Sequence, residues 1–232
     1  MTGFTRVLVD GGLAVPKLAD CRRHGPGSGA ELFVVEGDSA AGAVTLVRDP
    51  RTQAVLPMQG KPLNAVKAPP DKVGANPWFH GLARAMGAGD GPTFDLARAR
   101  YERVVLLMDA DADGIHCAAL MCLYFYRRMW PLLAAGRVAV AHPPLACLSS
   151  ASMPRPLYVF TEPEYRQAAH DLRAAGHDLQ VVRYRGLGGV DLETLAAASV
   201  RPATRTLQVL GRADADAMMR VLGRGEPQPT LF

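Results

Sequence analysis

Three aspartates occur at alternate positions directly after an apolar run, in the segment V-V-L-L-M-D-A-D-A-D-G at residues 104–114. Such a run is typical of a buried strand, so Asp109, Asp111 and Asp113 are predicted to lie at a strand end. A second short apolar run ends in Glu36. Four carboxylates gathered at one place repel one another unless they are protonated or neutralised. Because Mg²⁺ takes oxygen ligands and keeps several waters, the set indicates a magnesium site.

The elements around these acids predict an α/β fold. The sequence indicates strands at Glu31–Val35, Ala54–Met58, Arg103–Met108 and Arg137–Ala141, and helices near Pro77–Met86 and Ile115–Leu133. Strands that alternate with helices favour a parallel sheet with helices on both faces. Right-handed crossovers then place Glu36 and Asp109 at the same edge of the sheet. Neighbouring parallel strands lie about 4.8 Å apart, so these two carboxylates come close if their strands are neighbours.

Two other interpretations of the aspartates remain open. An aspartate after a strand is often a helix N-cap, although three in strict alternation are more than capping needs. The metal-site interpretation instead assumes an extended turn, in which Asp111 and Asp113 project to the same side as Asp109. A calcium loop of the EF-hand type also begins D-x-D-x-D-G. Its twelfth position should be Glu but here is Leu120, and the motif follows a strand rather than a helix.

The pattern changes near residue 149. Short strands are predicted at Leu157–Phe160 and Leu179–Tyr184, and helices at Glu162–Ala175, Asp191–Ser199 and Asp214–Leu222. We therefore divide the chain into an N-terminal arm (1–29), an α/β domain (30–148) and a C-terminal extension of short strands and helices (149–232).

The composition narrows the class of protein. The net charge of +4 permits a polyanionic partner, and the low aromatic content of 6% argues against a base-stacking platform. The four cysteines form no CxxC pair, which favours reduced thiols over a zinc site or a disulfide framework. The apolar runs are shorter than a membrane span, and Met1–Ala14 lacks the pattern of a signal peptide. We expect a cytoplasmic protein with no membrane partner.

Taken together, these features resemble the Toprim domain, the metal-binding fold shared by topoisomerases, bacterial primases and some nucleases. Its marks are a glutamate that ends the first strand and a D-x-D pair that ends a later one. The likeness extends to the B subunit of the type IIA topoisomerases, bacterial DNA gyrase and topoisomerase IV. The segments that carry it are P-K-L-A-D-C (16–21), E-L-F-V-V-E-G-D-S-A (31–40), L-P-M-Q-G-K-P-L-N (56–64), D-A-D-A-D-G-I-H (109–116), H-P-P-L (142–145) and R-Y-R-G-L-G (183–188).

The resemblance implies a Toprim Rossmann-like parallel sheet flanked by helices, with a small α+β C-terminal extension. It also implies the Mg²⁺-binding Toprim half of an ATP-hydrolysing type II DNA topoisomerase, which is incomplete alone. Glu36, Asp109 and Asp111 match the metal ligands, with Asp113 beside them. Glu36 also matches a general acid or base for religation. Double-stranded DNA is the substrate, and the nucleophilic tyrosine comes from an A-type subunit of the gyrase or topoisomerase IV kind.

Other positions match the family's DNA contacts or depart from its pattern. Lys61 and Asn64 match positions that touch DNA, and Arg185 stands where the family usually has a lysine. Gln59 replaces a usual basic residue, and Gly189 replaces a usual acidic one. The family's ATPase and transducer domains precede this region, and 232 residues leave no room for them. We therefore expect ATP turnover to require a separate ATPase chain.

Two alternative functions stay open. A truncated, non-catalytic paralogue could bind DNA or an A subunit without supporting cleavage. An independent Toprim nuclease is disfavoured, because such enzymes share the acids but lack the L-P-M-Q-G-K-P-L-N and R-Y-R-G-L-G segments.

Overall fold

The computed structural model describes residues 15–223, in which eight strands form two sheets. In chain order the strands are β1 (Glu31–Glu36), β2 (Gln53–Met58), β3 (Arg103–Leu107), β4 (Val138–Ala141), β5 (Ala146–Ser149), β6 (Leu157–Val159), β7 (Gln180–Arg183) and β8 (Leu207–Val209). The main sheet has the order β2-β1-β3-β4-β8. Its first four strands are parallel, and β8 pairs antiparallel with β4. The smaller sheet, β6-β5-β7, is antiparallel.

Eight α-helices connect or cover these strands within the described residues. They are α1 (Gly37–Val47), α2 (Pro70–Ala75), α3 (Pro77–Met86), α4 (Ala112–Arg128), α5 (Trp130–Ala134), α6 (Glu162–Ala174), α7 (Leu192–Leu195) and α8 (Arg212–Leu222). A π-helical turn, Ala196–Val200, continues from α7. No helix within residues 15–223 is both long enough and apolar enough to cross a membrane.

The main sheet has an apolar cluster on each face. Because side chains alternate along a strand, Leu32 and Val34 of β1 pack in one cluster, and Phe33 and Val35 pack in the other. Side chains from α3, α4, α5 and α8 complete the first cluster, and side chains from α1 and α7 complete the second. The predicted α/β fold, a parallel sheet with helices on both faces, is therefore confirmed.

The predicted helix at Ile115–Leu133 differs from the observed structure at its start and near its end. It begins earlier, at Ala112, and it is interrupted at Met129, after which α5 begins. Pro131 explains the interruption, because its ring nitrogen has no proton to donate to the carbonyl four residues earlier. The predicted helix at Asp191–Ser199 is the short α7 followed by the π-helical turn.

The C-terminal extension contributes to both sheets. The short strands β5, β6 and β7 pack with α6 around a small apolar cluster, formed by Ala146, Leu148, Val159 and Ala169. The chain then returns to the main sheet, where β8 pairs with β4 and α8 packs on α4. Neither β5 nor β8 was predicted from the sequence. The extension is thus joined to the α/β domain by a strand and a helix.

The described part of the N-terminal arm packs along β2. Ala19 and Val55 exchange two backbone hydrogen bonds of 2.9 Å in an antiparallel bridge, and Val15 and Leu18 are buried. Residues 1–14, on which the signal-peptide prediction rests, and residues 224–232 of the extension lie outside the described residues.

Candidate metal centre and DNA interface

Glu36 and Asp109 lie at the same edge of the main sheet, on neighbouring strands. Val35 is in register with Leu107, so the two parallel strands end side by side, with Glu36 as the last residue of β1 and Asp109 two residues beyond β3. The prediction that the two acidic motifs meet is therefore confirmed for the backbone. The roles of the side chains as metal ligands stay predictions.

One oxygen of the half-buried Glu36 carboxylate lacks a hydrogen-bond partner. Its Oε2 atom is buried and has no hydrogen-bond partner among residues 15–223. Burial raises the pKa of Glu36, and the charges of Asp109, Asp111 and Asp113 raise it further. Burial also raises the pKa of Asp109, although a backbone hydrogen bond from Leu187 partly offsets the effect. A cation stabilises a carboxylate that has an unpartnered buried oxygen and lies among like charges.

Asp109 is held by the loop that carries the R-Y-R-G-L-G segment. The backbone N–H of Leu187 donates to Asp109 Oδ1 at 2.8 Å. A Cβ atom at Gly186 would lie 3.0 Å from Asp109 Oδ2, and one at Gly188 would lie 2.5 Å from Ser39 Oγ. These two glycines let the loop approach both acidic motifs closely. The extension therefore completes the candidate site.

Asp111 and Asp113 do not continue an extended turn as predicted, because α4 already begins at Ala112. Asp111 is the N-cap of α4, and its Oδ1 accepts a hydrogen bond from the N–H of Gly114 at 2.8 Å. Asp113 lies in the first turn, where Lys61 Nζ contacts its Oδ1 at 2.8 Å. The capping interpretation is thus correct for Asp111, and Asp113 is a counter-ion for Lys61.

The acids do not form a closed three-ligand group within the described chain. The group whose ligand atoms all lie within 4.8 Å of one another is Asp20, Cys21 and His24, in the arm. Its carboxylate is already occupied, because Arg100 donates to Oδ2 and the Tyr101 hydroxyl donates to Oδ1, each at 2.5 Å. A metal ion there would have to displace a guanidinium. We therefore interpret this cluster as the network that ties the arm to the α/β domain.

The predicted DNA-binding residues have different environments. Lys61 and Arg185 are exposed, with Lys61 at Asp113 and Arg185 beside the loop that holds Asp109. Asn64 is engaged locally: its Nδ2 donates to the carbonyl of Leu222, and its Oδ1 accepts from two backbone N–H groups. To contact a phosphate, Lys61 would exchange its exposed ion pair with Asp113, and Asn64 would give up three hydrogen bonds.

Lys17 is a residue that our sequence reasoning missed as a candidate. Its ammonium group lies against Asp38, two residues after Glu36, and against Gln59, two residues before Lys61. Only the P-K-L-A-D-C segment could have drawn attention to it, and that segment gives no indication of its partners.

The parallel sheet with acidic residues at two neighbouring strand ends can be compared with known protein families. A match to the Toprim domain family covers residues 31–143, which include β1 to β4 and all four acids. This part of the chain belongs to the Toprim family, as the sequence predicted.

The resemblance to one component of DNA gyrase is also confirmed. The chain is 39% identical to the B subunit of DNA gyrase from Staphylococcus epidermidis and 40% identical to that from Staphylococcus aureus, in each case over 191 residues. The aligned residues make up 82% of this chain and 29% of each relative. The chain thus matches the Toprim region of these gyrase proteins and spans less than a third of their length.

Proposed function

We propose that this chain is the Mg²⁺-binding Toprim half of a type IIA DNA topoisomerase. In this proposal it supports cleavage and religation of double-stranded DNA together with an A-type subunit that supplies the tyrosine. The observation that carries the proposal is the buried, unpartnered Oε2 of Glu36, at a strand end next to that of Asp109. A carboxylate oxygen in this setting favours protonation or a bound cation.

The residues present fit a magnesium ion. Glu36 and Asp109 would hold it, with Asp111 alongside, and two or three carboxylates suffice because Mg²⁺ usually keeps several waters. When bound, the ion supplies Lewis-acid stabilisation of charge on the phosphate and on the leaving 3′ oxygen. The Leu187 N–H fixes one oxygen of Asp109 and leaves the other available.

The protein's own groups would handle the proton and the DNA backbone. Glu36 is also the candidate general acid or base for religation. Burial and the neighbouring aspartates raise its pKa when no ion is bound, and a bound ion would favour its ionised form. Lys61 and Arg185, both exposed near the acids, would contact the phosphates and set the register of the duplex.

The burial of this chain's tyrosines favours a nucleophile supplied by another subunit. All six lie within the described residues, and none is exposed. Tyr101 and Tyr124 are fully buried, and burial raises the pKa of Tyr184 to about 12. A nucleophilic hydroxyl needs access to the phosphate and a base or a lowered pKa, so these side chains are poor candidates.

The decisive experiment combines the chain with a matching A subunit, Mg²⁺ and supercoiled plasmid. We expect a covalent complex between the A subunit and DNA that depends on Mg²⁺ and disappears in Asp109→Asn. Asp171→Asn, which removes an equivalent charge from α6 on the smaller sheet, is the matched control and should retain the complex. Failure of the wild-type mixture to form any covalent complex would contradict the catalytic proposal.

The non-catalytic alternative has one observation in its favour, since the acids form no closed three-ligand group within residues 15–223. A truncated paralogue would then bind DNA or an A subunit without cleavage. Co-purification with the A subunit, with no covalent complex at any Mg²⁺ concentration, would favour it.

Metal-dependent nicking by the chain alone would instead indicate a nuclease. Whether a separate ATPase chain completes the enzyme can be tested by ATP-dependent strand passage in the reconstituted mixture.

A further inference from the structure

Lys17 reaches from the N-terminal arm to the edge of the acidic site. Its Nζ donates to Asp38 Oδ2 at 2.6 Å and Oδ1 at 3.0 Å, and to Gln59 Oε1 at 3.1 Å. Gln59 Nε2 in turn donates to Asp38 Oδ1 at 3.2 Å. The lysine thereby connects the arm to the start of α1 and to the loop that leads to Lys61.

The backbone at Lys17 has an unusual conformation. Within residues 15–223 it is the one non-glycine residue with a positive φ, of 64°. This left-handed region disfavours residues with a Cβ atom, and glycine would adopt it without strain. Val15 and Leu18 are buried on either side, so packing of the arm holds the strained residue in place. Strained positions of this kind cluster at functional sites, where the side chain is needed.

Lys17 and Lys61 have the same type of environment at the edge of the site. Each ammonium group is paired with an aspartate, Lys17 with Asp38 and Lys61 with Asp113. The lysine side chains are 42% and 45% exposed, and the loop between them, Gln59-Gly60-Lys61, joins the two pairs. Exposed ion pairs of this kind contribute little to stability, so each ammonium group can exchange its carboxylate partner at low cost.

We propose that Lys17 forms a second phosphate-binding position beside the acidic site, where it binds a DNA backbone phosphate next to the one bound by Lys61. The ammonium group has three protons and can turn one of them to a phosphate oxygen. This inference rests on the proposed function, because it takes DNA as the ligand. It extends the DNA interface beyond the Toprim match into the arm, which the match at residues 31–143 does not include.

The test measures the affinity of the full chain for a short double-stranded oligonucleotide as a function of salt concentration. The variants are Lys17→Gln, Lys17→Arg and Lys17→Gly, with Arg166→Gln in α6 as the control for loss of one positive charge. Each phosphate contact contributes about 0.9 to the slope of log affinity against log salt. We expect Lys17→Gln and Lys17→Gly to reduce the magnitude of this slope by about 0.9. Lys17→Arg and Arg166→Gln should keep the wild-type slope.

Lys17→Gly separates the two roles of this residue. It relieves the strained φ, so we expect a higher melting temperature together with weaker DNA binding. This combination would not be expected if the lysine had only a structural role. Slopes for Lys17→Gln and Lys17→Gly equal to the wild-type slope would overturn the inference while leaving the proposed function intact. Failure of the wild type and Arg166→Gln to bind the duplex at all would overturn the proposed function as well.

Discussion

Gly114 is the residue at which the packing of the acidic motif can be tested most directly. It lies in the first turn of α4, where its N–H binds the capping carboxylate of Asp111. A Cβ atom there would lie 2.9 Å from both the carbonyl carbon and the nitrogen of Asp109, and closer still to its carbonyl oxygen. All three neighbours are backbone atoms, which cannot rotate away. The change Gly114→Ala must therefore displace the backbone of Asp109 itself.

The expected cost follows from two opposing effects. Overpacking costs about 3 kcal/mol when the obstructing atoms are fixed. Alanine gains about 1 kcal/mol over glycine in a helix. The net loss for Gly114→Ala is then about 2 kcal/mol, or a fall in melting temperature of about 4–8 °C for a domain of this size. Gly42→Ala in α1, with no atom within 4 Å of its Cβ, should instead raise the melting temperature by about 2–4 °C.

Two measurements check this prediction. Thermal and urea unfolding of both variants give the difference in stability, and calorimetric titration with Mg²⁺ gives the affinity of the acidic site. Because Asp109 moves, we expect Gly114→Ala to bind Mg²⁺ about tenfold more weakly, with Gly42→Ala unchanged. Equal stability of Gly114→Ala and Gly42→Ala would refute the reasoning about the close approach. Loss of stability with unchanged Mg²⁺ affinity would show that Asp109 does not hold the ion.

Three further predictions concern the same surfaces. Asp109→Asn should abolish Mg²⁺-induced thermal stabilisation while leaving the metal-free protein at least as stable, because it removes a like charge near Glu36; a preserved metal response would contradict the assignment. Tyr101→Phe should cost about 1.5 kcal/mol in urea unfolding, since it removes a buried hydrogen bond to Asp20; an unchanged midpoint would contradict it. Burial alone would raise the pKa of Asp20, but hydrogen bonds from Tyr101, His24 and Arg100 lower it overall. The stabilisation of the fold by these bonds is therefore complete above the unfolded-state pKa of 3.8 and is lost as the pH falls below that value. The difference between Tyr101→Phe and wild type should accordingly shrink in acid. Lys61→Gln should lower the salt slope of DNA binding by about 0.9, and a slope equal to that of Arg166→Gln would argue against a phosphate contact.

The sequence alone determined the architecture of the α/β domain and the meeting of the two acidic motifs. The apolar runs at β1 and β3 are local signals, each ended by a carboxylate, and the handedness of crossovers leaves little choice of edge. The helix α3, Pro77–Met86, was predicted close to its observed position, and it has a proline at its start and a glycine after its end. These features need only the residues of the element itself and general rules of chain connection.

Contacts between residues far apart in the chain set how the site is surrounded. Leu187 and Asp109 are 78 residues apart, Lys61 and Asp113 are 52 apart, and Lys17 and Asp38 are 21 apart, yet each pair is in contact. The return of β8 to the main sheet likewise depends on pairing with a strand far away in the chain. Such contacts leave no periodic pattern in either partner, because a single side chain or glycine suffices to make them. The physical reason is that burial patterns report the environment of an element but not which distant residue provides it.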